Sequence, residues 1–166
     1  MKITRKVLVI PYVPSSGRRK TRFLVAKDRA SGEWTFFSGT CEAYEVPIRC
    51  ALRELYEETK GLLQLSCLPT NTHHCRIWDR QQQKDKRVKR VDVFFVPLSM
   101  ESVAKMKDLV ADFDVRQGDF PKEFFENDII RFQTLAQFKA NRRIWSYIKR
   151  MMYRKEFRKI VAAISP

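Results

Sequence analysis

Residues 39–58 constrain this chain more than any other stretch. Pro47 suits the first position of a helix, and Ile48, Ala51, Leu52 and Leu55 repeat at the i, i+3, i+4, i+7 spacing of a buried helical stripe. Gly61 supplies a stop, with Lys60 at the negative end of the helix dipole, so the pattern predicts a helix over 47–59. At about 100° per residue, Glu54, Glu57 and Glu58 share one face of that helix, beside the apolar stripe. Carboxylates this close repel one another unless a cation sits between them. Hard oxygen ligands around an open position suit Mg2+ or Mn2+, ions that bridge to phosphates, activate water and neutralise a leaving group. Taken alone, the three glutamates are also consistent with an ordinary acidic helix facing solvent.

Strand patterns flank this helix. Segments 6–13, 22–26 and 34–37 precede it, each apolar, rich in β-branched or aromatic residues and bounded by turns. Segments 74–78 and 88–97 follow, joined by a basic linker, and 129–132 reads as a last strand. Residues 39–45 read as a loop, 101–126 as polar and partly helical, and 134–164 as mostly helical. Strands on both sides of a central helix, with a helical end, point to one α/β domain over 1–166. No apolar run approaches the roughly 20 residues of a membrane span. The few apolar residues before Pro11 are too short for a secretory signal, so a cytoplasmic location, or a nuclear one without an obvious import signal, is expected.

The cysteines at 41, 50, 67 and 75 form no C-x-x-C pair and read as free thiols of a reducing compartment. His73-His74-Cys75 lacks the second ligand pair that a structural zinc needs.

A formal net charge of +14 favours polyanionic partners. The excess is uneven: residues 76–90 hold seven basic side chains against Asp79 and Asp85, and 139–159 hold nine against Glu156. Arg143, Arg150, Arg154 and Arg158 recur at helical spacing, which predicts one basic face on the C-terminal helix. With Lys86, Arg87, Lys89 and Arg90 in the linker, the chain offers two basic surfaces able to follow a phosphate backbone. Trp34, Phe36, Tyr44 and Trp78 are candidates for stacking a base. A solvated basic surface and aromatics buried in the core are the alternative readings.

The spacing Gly-x5-Glu-x7-Arg-Glu-apolar-x-Glu-Glu is filled here by Gly39, Glu45, Arg53, Glu54, Leu55, Glu57 and Glu58. It resembles the Nudix box, and the resemblance implies a Nudix fold, a mixed β-sheet sandwiched between helices, that hydrolyses a nucleoside diphosphate linked to another group. By this likeness Glu57 and Glu58 are the principal metal ligands, and Glu54 binds metal or serves as base. Glu45 and Arg53 brace the loop against the helix, and Gly39 lends the loop its backbone freedom. Nudix enzymes often recruit a further acid from a later loop, for which Glu126 is the first choice and Glu123 the second. Two positions depart from the family pattern. Ser38 stands where a glycine is usual, and Lys60 occupies the glycine position after the glutamates, with Gly61 following. The second change is expected to let the helix run one residue further.

The box leaves the substrate open. Segments 46–59 and 145–155 resemble the mRNA-decapping Nudix enzymes of large DNA viruses, which implies capped RNA as substrate in a host cytoplasm. The products would be methylated guanosine diphosphate and 5′-monophosphate RNA. A diphosphoinositol or dinucleoside polyphosphate is the competing substrate. A third reading, an inert RNA-binding domain, is opposed by the intact Glu54, Glu57 and Glu58. Neither a membrane nor a protein partner is indicated.

Overall fold

The computed structural model describes residues 2–80, 87–111, 113–114 and 120–166. Strand β1 (Lys2–Val13) is its axis. On one edge it pairs in parallel with β6 (Arg87–Pro97), from Lys2 opposite Arg87 to Tyr12 opposite Pro97. Its other edge is shared between two antiparallel strands, β2 (Arg22–Asp28) at the C-terminal end and β4 (Phe37–Thr40) at the middle. Outside these lie β3 (Trp34–Thr35) and β7 (Asn127–Gln133) on β2, and β5 (His73–Asp79) on β6.

Because side chains alternate across a strand, β1 serves two cores at once. Val7, Val9 and Val13 enter one cluster with Cys50, Ala51 and Leu55 of α1 (Pro47–Glu58) and Met106 of α2 (Met100–Ala111). Leu8, Ile10 and Tyr12 enter the other, against α3 (Leu135–Ala140), α4 (Ser146–Tyr153) and α5 (Lys155–Ile164). Burial on both faces explains why this strand reads as a continuous apolar run. The result is a mixed sheet between two helical layers, as the sequence leads one to expect. No helix among the described residues is long and apolar enough to cross a membrane.

Five local expectations are corrected. The aromatic segment 34–37 is two strands, and Gly39 lies inside β4 rather than in a loop. Helix α1 stops at Glu58, and Lys60 does not extend it: both Lys60 (φ 50°) and Gly61 (φ 75°) turn left-handed. The buried face of α1 is Cys50, Ala51, Glu54, Leu55 and Glu58, while Ile48 is half exposed, so the helix turns two of its acids inward. Finally, the C-terminal helix is broken. Residues 141–145 leave helical geometry to pair with β3, through Trp34 N–H to Arg143 O and Trp145 N–H to Trp34 O. Arg154 (ψ 141°) then separates α4 from α5, which lets Met151 and Phe157 reach the same core.

Candidate active site

The inward acids are made possible by β4. An ideal Cβ on Gly39 would lie 1.9 Å from the Glu54 carboxylate, so any other residue there would push Glu54 away. One residue earlier, the Ser38 N–H donates to Glu58 Oε2 at 3.0 Å. Strand and helix thereby fix Glu54 and Glu58 together.

Arg53 organises the rest. Its Nε and NH2 donate to the two oxygens of Glu45 at 2.9 and 3.0 Å, a bidentate fork. Its NH1 reaches Glu54 Oε1 at 2.9 Å and Glu57 Oε2 at 3.3 Å, and NH2 also meets Thr40 O at 3.3 Å. Glu45 Oε2 accepts the Glu42 N–H at 2.9 Å, closing the loop. From β1, Arg5 donates to the carbonyls of Glu45 (2.9 Å) and Glu42 (2.8 Å). The hydrogen bonds from Arg53 hold the Glu45 carboxyl down at about 2. The nearby thiols of Cys41 and Cys50 converge on Glu45, but its oxygens are already taken up by Arg53 and Glu42, and burial pushes the Cys50 thiol up. That cluster belongs to the brace.

The remaining carboxyls behave oppositely. Burial, with the charges of Glu57 and Glu126 added, lifts Glu54 to about 7 despite Arg53. Glu58 is driven well above the ordinary range by burial, then by Glu54 and Glu126. Glu126, just before β7, is raised by burial and by Asp28, Glu57 and Glu123. Glu58 and Glu126 line one cleft of about 390 Å3, with Lys6, Asp28, Ser38 and Trp145. Such a group resists ionisation until a cation shares its oxygens. Hard carboxylate donors at the wall of an open cleft fit a divalent cation, and Glu54, Glu57, Glu58 and Glu126 are the candidates to hold it.

The structure gathers Gly39, Glu45, Arg53, Glu54, Glu57, Glu58 and Glu126 around this one place. Other expected residues lie elsewhere. Phe36 is 2% exposed and stacked on Phe138, so it is core and not a free platform for a base. Trp34 packs beneath the Arg131 guanidinium, 4.8 Å from its ring centre. Tyr44 is fully exposed at the apex of the loop. Trp78 lines a separate cavity with Arg80 and Arg154.

The expected arginine face is absent because its helix is interrupted. Arg143 sits in the 141–145 connection, Arg150 pairs with Asp79 at 3.2 Å, Arg154 occupies the break, and Arg158 belongs to another cleft with Lys139. Arg87, Lys89 and Arg90 belong to β6 rather than to a linker, while Lys86 lies outside the described residues.

Besides Arg5, two further residues take roles that the sequence pattern did not assign them. Lys6 lines the cleft with its Nζ over the rings of Trp145 and Tyr147, and burial and then Lys89 lower its pKa. Lys60 is buried, donating to Phe113 O at 2.8 Å with Nζ 4.2 Å from the Phe113 ring centre and 5.5 Å from that of Phe125. It ties the end of α1 to the segment that carries Glu126. Its place after the glutamates was the signal, though a helix extension was the wrong reading of it.

Residues 4–143 match the family model described as NUDIX domain. Among solved structures, the NUDIX domain of Shewanella oneidensis NrtR, crystallised with ADP ribose, is similar at TM-score 0.60 and 10% identity, covering 97% of this chain and 90% of that one. NrtR complexed with a 27mer DNA is similar at TM-score 0.58 and 11% identity, over 95% of this chain and 62% of that one. A Caenorhabditis elegans Ap4A hydrolase is similar at TM-score 0.54 and 14% identity, over 96% and 98%. At such identities the likeness is one of fold. No curated protein sequence matches the chain.

Proposed function

The chain belongs to the NUDIX domain family, and from that premise we propose that it is a pyrophosphohydrolase acting on capped RNA, with Mg2+ or Mn2+ held by Glu54, Glu57, Glu58 and Glu126. The observation that carries the hydrolase reading is that Glu58 and Glu126 line one cleft while Glu54 and Glu58 are turned inward on α1 against Gly39 and Ser38, with Glu57 tied to Glu54 through Arg53. When bound, the ion supplies charge neutralisation at the phosphates and an activated water.

The chain's own groups do the positioning. Arg53 fixes Glu54 and Glu57 by hydrogen bonds and holds the loop through Glu45. Glu54, held by Arg53 beside Glu57, would ligate the ion or take the proton from water. Lys6 faces the cleft beside Glu58, where its ammonium meets a substrate phosphate. The cleft's volume of about 390 Å3 suits a nucleotide-sized group.

The net charge of +14 favours a polyanionic substrate, and RNA is one. Such a substrate is met in the cytoplasm, which is a host's if the protein is viral. A dinucleoside polyphosphate is the second reading, since one hydrolase of that substrate, the Ap4A hydrolase, shares the fold. The test offers the purified protein cap-labelled RNA beside dinucleoside and diphosphoinositol polyphosphates, with Mg2+ or Mn2+ and with a chelator. Metal-dependent release of methylated guanosine diphosphate from RNA is expected. Turnover of only the small compounds would replace decapping by the second reading, and turnover of none would end the hydrolase reading.

A further inference from the structure

The sheet face that bears α1 continues beyond that helix as a basic surface. Across three strands, Arg5 stands beside Arg90 and Arg90 beside Trp78, and in the next row Asp92 stands beside Arg76. Ile77 and Val91 point into the core beneath α4, so Trp78, Arg76 and Arg90 point the other way. Asp92 is buried and lies 2.8 Å from His74, 3.0 Å from Arg76 and 3.5 Å from Arg90, so it fixes Arg76 by a hydrogen bond and draws Arg90 by charge alone. Trp78 is 41% exposed and lines a cavity of about 470 Å3 with Ile3, Val88, Arg80 and Arg154.

A surface needed only for solubility has no use for a half-exposed indole set among arginines. An indole with nearby guanidinium groups matches an unpaired base followed by phosphates. The row also leads somewhere: Arg5 reaches the carbonyls of Glu42 and Glu45, the loop that Arg53 ties to the acids. We propose that this face binds single-stranded RNA, with one base on Trp78 and adjacent phosphates on Arg80 and Arg154, and leads its 5′ end toward the acidic cleft. The inference deepens the capped-RNA reading and rests on it for the nature of the polyanion. A duplex, whose bases are already stacked, gains nothing from Trp78.

The experiment uses the full chain and an uncapped, unstructured RNA of about 20 nucleotides as probe, with affinity measured across salt concentrations. Trp78→Ala should weaken binding about tenfold and Trp78→Phe should restore most of it, as expected for stacking. Arg80→Gln with Arg154→Gln should flatten the salt dependence by roughly one to two contacts. All three proteins should hydrolyse a dinucleoside polyphosphate like the wild type. RNA affinity and salt slope unchanged in these variants would overturn the platform, as would an equal loss of duplex affinity in Trp78→Ala. If wild type binds RNA through this face yet releases nothing from capped RNA, the platform stands and the decapping reading falls.

Discussion

The acidic end of the molecule and its basic C-terminal layer are both rich in charges of one sign, and the fold treats them oppositely. On α1 the glutamates are pressed together, because Gly39 admits Glu54 and Ser38 binds Glu58. In the C-terminal layer the arginines are dispersed, with Arg150 held by Asp79 and Arg154 at a break between helices. Crowding like charges is unfavourable unless an opposite charge completes the set. The contrast therefore sets the acids apart as the candidate cation site, and the tail arginines as separate surface groups.

The largest effect should come from the acids themselves. Glu57→Gln or Glu58→Gln should lower turnover of any substrate by orders of magnitude, while thermal unfolding shows a folded protein. Glu58→Gln should be no less stable than wild type without metal, since the buried carboxyl then resists ionisation and its neutral form resembles the amide. Near-normal turnover would erase the distinction between the two regions.

Next comes the contact that forces the crowding. Gly39→Ala places a Cβ in the space of the Glu54 carboxylate and should cost about a hundredfold in turnover, the usual effect of misplacing a reacting group by an ångström. A steady-state assay that finds this variant fully active would mean that Glu54 does not depend on β4.

The brace should show itself in acid. Arg53 holds Glu45 at about 2, below its ordinary value of 4.5, so the pair's stabilisation is complete above 4.5 and is lost as pH falls toward 2. Melting temperatures of wild type and Glu45→Gln should differ by a constant amount near neutrality and converge on acidification. A gap that stays constant down to pH 3 would show that the ion pair contributes nothing.

The smallest effects separate the tail arginines. Arg158→Gln should leave both turnover of small substrates and RNA affinity within about twofold, whereas Arg154→Gln should weaken RNA binding alone, each phosphate contact adding its own increment. Equal losses from both changes would restore the single basic face that the sequence suggests.

The same contrast explains what could be read beforehand. Glu45, Arg53 and the acids fall within one strand–loop–helix unit, where spacing translates directly into neighbours, so the site was legible. Periodicity in the tail continues across Arg154 although the backbone does not, because tertiary contacts of 141–145 with β3 interrupt a locally acceptable helix. Arg5 and Lys6 gave no signal, since the loop carbonyls and cleft acids they meet are distant in sequence. Lys60 was noticed, but only its burial against Phe113 and Phe125 reveals that it joins α1 to the Glu126 segment.

The parallel pairing of β1 with β6 has a consequence for the order in which the chain folds. β1 can find β2 and β4 soon after synthesis, but its other edge has no partner until Pro97 has emerged. Until then Val7–Val13, apolar on both sides, is an open strand edge of the kind that pairs with other chains. Closing so long a loop is slow, so the first half of the molecule waits on the second. Chains cut between α1 and β6 should aggregate while still holding every box residue.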